Sequence, residues 1–294
     1  MPELPDIAIY REALAARVTG EALTRLHVDN PFVLRTAVPS IAEAEGKRAR
    51  EVRRLGKRIV LALDDDLFLV FHLMIAGRLR CFDSGGVPPK RITLARFEFP
   101  AGTLAFTEAG TKRRASLHLV AGEAALAAMD PGGLEVLTTD REAFAARLAR
   151  ENHTLKRALT DPRLYSGIGN AYSDEILHRA RLSPLALTQK LSGDDVARLF
   201  DATRGVLTEW TARLRNELGG AFPDNVTAFR PEMAVHGKFG KPCPVCEAIV
   251  QRIVYAENEC NYCARCQTGG KLLADRSLSR LLKASWPKSI DALG

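Results

Sequence analysis

The chain has 294 residues, enough for two or three compact units, each with its own core. Hydrophobic residues make up 46% and charged residues 26%, an ordinary soluble balance, and the longest apolar run, Leu67 to Gly77, is too short to span a bilayer and is broken by His72. The net charge of +7 is compatible with a polyanionic partner without requiring one, and the opening Met-Pro-Glu-Leu-Pro-Asp lacks the basic and apolar stretches of a secretion signal, so a cytoplasmic protein is expected.

A helix is predicted over Ile7 to Val18, and strands follow it. Arg58 to Leu63 and Leu67 to His72 are apolar runs on either side of Asp64-Asp65-Asp66, which reads as a hairpin. Ile92 to Phe99 and Thr103 to Phe106 form a second, joined at Pro100-Ala-Gly102. Two basic clusters stand out: Lys47, Arg48, Arg50, Arg53, Arg54, Lys57 and Arg58, and then Lys112, Arg113 and Arg114. On charge pattern alone, each fits a solvated surface as well as a nucleic-acid contact. Asp130-Pro-Gly-Gly133 interrupts the strands and begins a linker.

From Asp140 onward the spacing of apolar residues is helical: Arg141 to Arg150, Leu155 to Thr160, Ala171 to Ala180, and Ser192 to Leu218. Ser192-Gly-Asp-Asp supplies a start signal for the last of these and Gly219-Gly220 a stop. Gly167 and Gly169 punctuate a turn between two helices. Runs of strands before runs of helices predict separate domains.

Four of the six cysteines form Cys243-Pro-Val-Cys246 and Cys263-Ala-Arg-Cys266, sixteen residues apart. Two such knuckles supply four thiolates in two pairs, the donor set of a structural Zn2+ site, and the segment from Ile249 to Tyr255 alternates as the first strand of a hairpin between them. Cys81 and Cys260 are left outside that set, Cys81 as a small core residue. A zinc ribbon alone is compatible with DNA, RNA or protein binding.

Together with Pro2-Glu3-Leu4-Pro5 at the other end, the knuckles resemble the formamidopyrimidine-DNA glycosylase/endonuclease VIII family. Further motifs match in order: Leu55-Gly-Lys57-Arg58, His72-Leu-Met-Ile-Ala-Gly77, Gly167-Ile-Gly-Asn170-Ala-Tyr-Ser-Asp-Glu175, and Val235-His-Gly-Lys238. The likeness covers residues 2 to about 267. It implies an α+β multidomain chain: an N-terminal β-sandwich with flanking helices over 1–131, a linker over 132–150, a helix–two-turn–helix DNA-binding domain over 151–231, a zinc finger over 232–270 and a C-terminal extension over 271–294. The function it implies is a bifunctional DNA glycosylase and AP lyase acting, as a monomer, on double-stranded DNA with damaged, especially oxidised, bases or abasic sites. In a bacterium such a protein would be nucleoid-associated through its DNA.

By the same resemblance Pro2 is the nucleophile once Met1 is removed, Glu3 the acid that protonates the sugar ring oxygen, and Lys57 a contact to phosphate and lesion. Lys156, Gly169, Asn170 and Lys238 are implied as DNA contacts. Three departures qualify the likeness. Asn258 stands where the family has a phosphate-clamping arginine. The intercalating loop is replaced by Glu108-Ala-Gly-Thr-Lys-Arg-Arg-Ala115, which keeps Arg113 or Arg114 but has no aromatic wedge. The void-filling methionine aligns with Ile75, while Met74 is one place earlier and, on a strand, would face the other way. Lys271 and Arg276 in the tail are candidates to replace the missing charge at Asn258, and Leu272 to Leu282 reads as a packing helix. The alternative reading is a member that binds lesions or abasic sites but excises bases weakly.

Overall fold

In a computed structural model of the chain, eight strands of the N-terminal region pair into two antiparallel four-stranded sheets. The structure describes residues 1–224, 226–255, 258–274, 280–281 and 287–293. They divide into two units, Met1–Pro131 with Trp210–Thr227, and Gly132–Glu209 with Ala228–Gly294. Among the described residues, no helix is long and apolar enough to cross a membrane.

In the first unit, helix α1 (Leu4–Val18) begins three residues earlier than the apolar spacing predicts. Pro5 fits the first turn, where no N–H is needed, and Asp6 accepts the Glu3 backbone N–H at 2.9 Å. The strands are β1 (Arg25–Val28), β2 (Ala49–Leu55), β3 (Arg58–Leu63), β4 (Leu67–His72), β5 (Gly77–Asp83), β6 (Thr93–Phe99), β7 (Gly102–Glu108) and β8 (Ser116–Ala121). They are ordered β1-β6-β7-β5 in one sheet and β2-β3-β4-β8 in the other. Leu61, Leu69 and Phe71 of the second sheet join Phe97 and Phe106 of the first, with Ile7, Tyr10 and Leu14 of α1, in one core. The opposite face of β3 and β4 is also covered: Val60, Ala62, Phe68 and Val70 meet Leu126 of α2 (Glu123–Ala127). Burial on both faces explains why these two strands are continuous apolar runs rather than alternating ones.

β2 lies at a sheet edge, and its basic cluster is largely tied to the protein itself. Arg53 pairs with Glu51 and with Glu123, Lys47 with Asp65 and Arg50 with Asp64, while the Arg54 and Arg58 guanidiniums donate to the carbonyls of Gly56 and Met129 at 2.8 Å. A charged edge discourages pairing with a second sheet. After Trp210, α6 (Gly193–Leu218) also belongs to this unit, where Arg215 grips Glu12 through two 2.8 Å hydrogen bonds.

The second unit holds α3 (Arg141–Ala149), α4 (Leu155–Thr160), α5 (Asn170–Ala180), the start of α6, the hairpin β9 (Gln251–Tyr255) and β10 (Asn258–Tyr262), and α7 (Ala264–Thr268). Residues 132–150 are not a bare linker. Asp140 caps α3 by accepting the Ala143 N–H at 2.8 Å, and Phe144 and Leu148 are buried, Phe144 against Tyr165 and Phe200. Ser192 and Asp195 exchange hydrogen bonds at the start of α6, a capping box at the start signal that the sequence supplies. In the tail, residues 272–274 are not helical, and the remainder of the predicted helix, Arg276 included, lies outside the described residues apart from 280–281. The chain returns so that Leu272 N–H donates to Lys288 O and Ile290 N–H to Gly270 O, and Leu272 packs with Ile253 and Tyr262 of the hairpin.

Two buried carboxylates on α5 organise this unit. Glu175 accepts the backbone N–H groups of Ala234, Val235 and His236 at 2.8 to 2.9 Å. Asp174 takes the Lys156 ammonium at 2.6 Å and His236 Nδ1 at 2.8 Å. Replacing one Glu175 oxygen by an N–H donor in Glu175→Gln sets it against a backbone donor, which leaves a buried group unsatisfied. We expect a loss of about 2 kcal/mol in denaturant unfolding and faster amide exchange at residues 234–236. Wild-type stability and protection in that variant would contradict this role for Glu175.

Candidate active site and metal centre

The start of α1 and the β2–β3 turn bring the amino-terminal residues to Lys57. Pro2 and Glu3 are both buried. Lys57 follows Gly56, whose φ of +61° suits the first position of a two-residue hairpin turn between Leu55 and Arg58. Burial lowers the Lys57 ammonium pKa, and the Glu3 carboxylate opposes that shift. The terminal ammonium, carried here by Met1, is also lowered by burial; Glu3 and Asp6 raise it, and Arg78 and Lys57 lower it. The terminal ammonium, Glu3 and Lys57 therefore act on one another electrostatically, with Asp6 and Arg78 as further charges that the sequence alone does not single out. The Arg78 guanidinium bonds to the carbonyls of Ile75 (3.0 Å) and Gly77 (2.6 Å), joining this site to the β4–β5 turn.

His72, the last residue of β4, is a further member, and its place at the head of the His72–Gly77 motif is the signal that could have found it. Burial first, and then the charges of Arg58, Lys57 and His118, lowers its pKa to about 4. At neutral pH it is an uncharged imidazole among cations.

Residues 73–76 form a turn, not strand, which removes the alternation between Met74 and Ile75. Met74 has φ +52° and is half-buried, whereas Ile75 is 58% exposed. Gly77 is required because a Cβ there would lie 2.3 Å from the Leu73 carbonyl oxygen. The neighbouring loop after β7 is held by buried Glu108, whose carboxylate accepts the N–H groups of Arg114 (3.0 Å) and Ala115 (3.2 Å). Arg113 and Arg114 are both exposed on that loop, and Arg113 donates to the Arg91 carbonyl at 3.3 Å.

In the second unit, Gly167 has φ +83°, and Gly169 is the extended cap from which α5 starts at Asn170. The Asn170 amide donates to the Glu259 carbonyl at 2.9 Å, so it links α5 to β10. Lys156 departs from expectation: its ammonium donates to Asn170 O, Ser173 Oγ and Asp174 Oδ1 at 2.6 to 2.8 Å. An ammonium has three donors, and these acceptors use all of them, so Lys156 positions the start of α5 instead of reaching a phosphate. Lys238 gives one donor to the Pro231 carbonyl at 2.8 Å. Asn258 is exposed at the start of β10. Lys271 is exposed just after α7, where its carbonyl accepts the Thr268 hydroxyl. Arg252 on β9 is occupied by the Phe239 ring, 4.3 Å away, and by Glu259 at 3.2 Å.

The sulfurs of Cys243, Cys246, Cys263 and Cys266 lie within 4.8 Å of one another, with Cys243 and Cys266 at 3.9 Å and Cys246 and Cys263 at 3.3 Å. Tetrahedral zinc with bonds of about 2.3 Å places its sulfurs about 3.8 Å apart, so the donor set and its spacing fit that ion. His178 Nε2 lies 3.3 Å from Cys243 Sγ; burial, then Arg179 and Arg181, lowers its pKa to about 4, leaving a neutral ring able to donate to a thiolate. Cys260 is buried outside the quartet, beside Asp174, and burial pushes its thiol pKa up.

Comparison with known proteins agrees with this arrangement. The formamidopyrimidine-DNA glycosylase N-terminal domain matches residues 1–115, and the H2TH domain of the same proteins matches residues 133–215. A formamidopyrimidine-DNA glycosylase of Thermus thermophilus is 33% identical over 292 residues, covering 92% of this chain and all of the relative. An uncharacterised formamidopyrimidine-DNA glycosylase-like protein of Mycobacterium tuberculosis is 42% identical over 156 residues, 53% of this chain and 95% of its own. A solved structure of Lactococcus lactis Fpg bound to DNA containing an oxidised pyrimidine superimposes with a TM-score of 0.79 at 25% identity, covering 91% of this chain and all of that one. The chain belongs to the formamidopyrimidine-DNA glycosylase family of DNA-repair enzymes.

The lowered pKa of His72 has a consequence for pH. The unfolded imidazole, near 6.5, binds a proton more readily than the folded one, so His72 withdraws stability as pH falls from about 6.5 towards 4. NMR titration should show this ring still neutral at pH 6, with a midpoint near 4; a midpoint at or above 6.5 would contradict its burial among cations.

Proposed function

We propose that this protein removes damaged, chiefly oxidised, bases from double-stranded DNA and then cleaves the abasic strand, acting as a monomer. The observation that supports the reading is that Pro2 and Glu3 are buried and that the charge of Glu3 acts on both the terminal ammonium and the half-buried Lys57 ammonium. Removal of Met1 exposes Pro2 as a secondary amine. Its nitrogen attacks C1′ of the deoxyribose as the bond from C1′ to the base breaks, and Glu3 delivers a proton to the ring oxygen. Ring opening gives an iminium ion that has no N–H to lose. That cation withdraws electrons, so a proton leaves C2′ and the 3′ phosphate departs by β-elimination, with δ-elimination as a further step. Burial keeps the amine nucleophilic near neutral pH, and Lys57 meets the phosphate and lesion. The half-buried Met74, exposed Ile75 and Arg113 or Arg114 enter the duplex, while Gly169, Asn170, Lys238 and Asn258 face the backbone of the bent strand.

The four-cysteine quartet is proposed to hold one structural zinc ion, which when bound fixes the hairpin fold and takes no part in the chemistry. Protein purified without chelator should contain one zinc per chain by metal analysis, and Cys243→Ser should weaken DNA binding while the N-terminal unit remains folded. Zinc-free protein with an intact hairpin would contradict the assignment.

Asn258 favours a second reading, slow base excision with retained lesion binding, since an amide brings no charge to the phosphates and the Lys156 ammonium is taken up by Asn170, Ser173 and Asp174. Single-turnover cleavage of duplexes carrying one lesion or one abasic site tests both readings. Glu3→Gln should slow excision by about 10²- to 10⁴-fold. Unimpaired excision in that variant rejects the acid role; a gain in lesion excision with Asn258→Arg, abasic cleavage being unchanged, favours the slow-enzyme reading.

A further inference from the structure

The loop after β7 carries no aromatic side chain, yet the structure supplies one beside it. Phe32 is 81% exposed, the highest exposure of any aromatic ring among the described large hydrophobic residues. It is held out on a rigid support. Pro31–Val33 is a single 3-10 turn with proline first, Asn30 Oδ1 accepts the Phe32 N–H at 3.1 Å, Val33 is buried, and Arg35 N–H bonds to Leu117 O at 2.9 Å. Phe32 lines a cavity of about 350 Å³ together with Asn30, Arg35 and Arg113. Glu108 also lines it, its carboxylate accepting the backbone N–H groups of Arg114 and Ala115, so the lining carries two exposed guanidiniums against one buried carboxylate. The same loop touches the β4–β5 turn, since a Cβ on Gly110 would come within 3.1 Å of the Ala76 methyl. Ile75, the loop and Phe32 are thus successive neighbours along one edge of the first unit.

We propose that Phe32, with Arg113 and Arg35, forms a subsite for the unpaired base on the strand opposite the damaged nucleotide. The inference rests on the reading of the protein as a glycosylase that extrudes its target base. Extrusion leaves the partner base unpaired, and the cavity offers that base an aromatic face and planar cations, with guanidiniums placed for its phosphate. The ring replaces, from the loop after β1, the aromatic wedge that the loop after β7 lacks.

The test uses the full zinc-loaded protein and duplexes carrying a tetrahydrofuran abasic analogue, which no glycosylase can process, opposite 2-aminopurine. Wild type should bind this duplex in preference to an undamaged one and change the 2-aminopurine fluorescence. Phe32→Ala should weaken that binding roughly 5- to 150-fold, the range expected for one base–aromatic stack, with undamaged-duplex binding unaltered and the fluorescence change lost. Phe32→Trp should restore both. Because the ring is exposed, Phe32→Ala should fold normally, which its melting temperature checks. Wild-type affinity and fluorescence in folded Phe32→Ala overturn the subsite while leaving the glycosylase reading intact. Failure of wild type to prefer the abasic analogue overturns both.

Discussion

Burying two adjacent carboxylates on α5 is the constraint on which the second unit depends. A buried charge must find donors, and Asp174 and Glu175 find them on segments far apart in sequence. Glu175 collects three successive N–H groups from residues 234–236, and Asp174 joins Lys156 of α4 to His236. One turn later on the same helix, His178 reaches Cys243 of the metal quartet. Asn170 and Gly237 then hold β10 through Glu259 O and Asn261 Oδ1. A single helix therefore fixes the glycine turn, the Val235–Lys238 segment, the hairpin and the cysteine cluster relative to one another within this unit.

Under the proposed mechanism the first unit has a different requirement, that of keeping an amine reactive. An exposed ammonium is a poor nucleophile at neutral pH, and desolvation weakens its hold on the proton. The opening of α1 delivers this by geometry: Asp6 anchors the Glu3 N–H, Pro5 and Leu4 are buried, and the β2–β3 turn brings Lys57 beside Glu3. His72, uncharged at neutral pH, and Arg78 complete a surround in which cations oppose protonation of the amine while Glu3 and Asp6 temper them.

The cysteine spacing, the two predicted hairpins and the start signal at Ser192 are readable in the chain because each is local: a few residues determine a turn, a helix start or a knuckle. The start of α1 was placed late because Pro5 and Asp6 act by capping, outside the apolar periodicity. What sequence pattern could not show was which partner a polar side chain chooses. The resemblance offers Lys156 as a DNA contact, yet Asn170 O, Ser173 and Asp174 surround its ammonium, and the basic run of β2, open to either reading on charge pattern, has Asp64, Asp65 and Glu123 placed against it. A strand would put Met74 and Ile75 on opposite faces, and that expectation fails because Gly77 closes tightly on Leu73 and makes residues 73–76 a turn. The exposure of Phe32 is likewise a tertiary fact, since nothing in Pro-Phe-Val distinguishes a core ring from a displayed one.

Identifying the atom that becomes bonded to DNA tests the catalytic reading most directly. Protein lacking Met1 is incubated with abasic duplex and borohydride, and the trapped adduct is digested and located by mass spectrometry. Attachment of the reduced sugar to the Pro2 nitrogen, and its loss in protein retaining Met1, is the predicted result. An adduct on a lysine, Lys57 included, or equal trapping with Met1 in place, would contradict it.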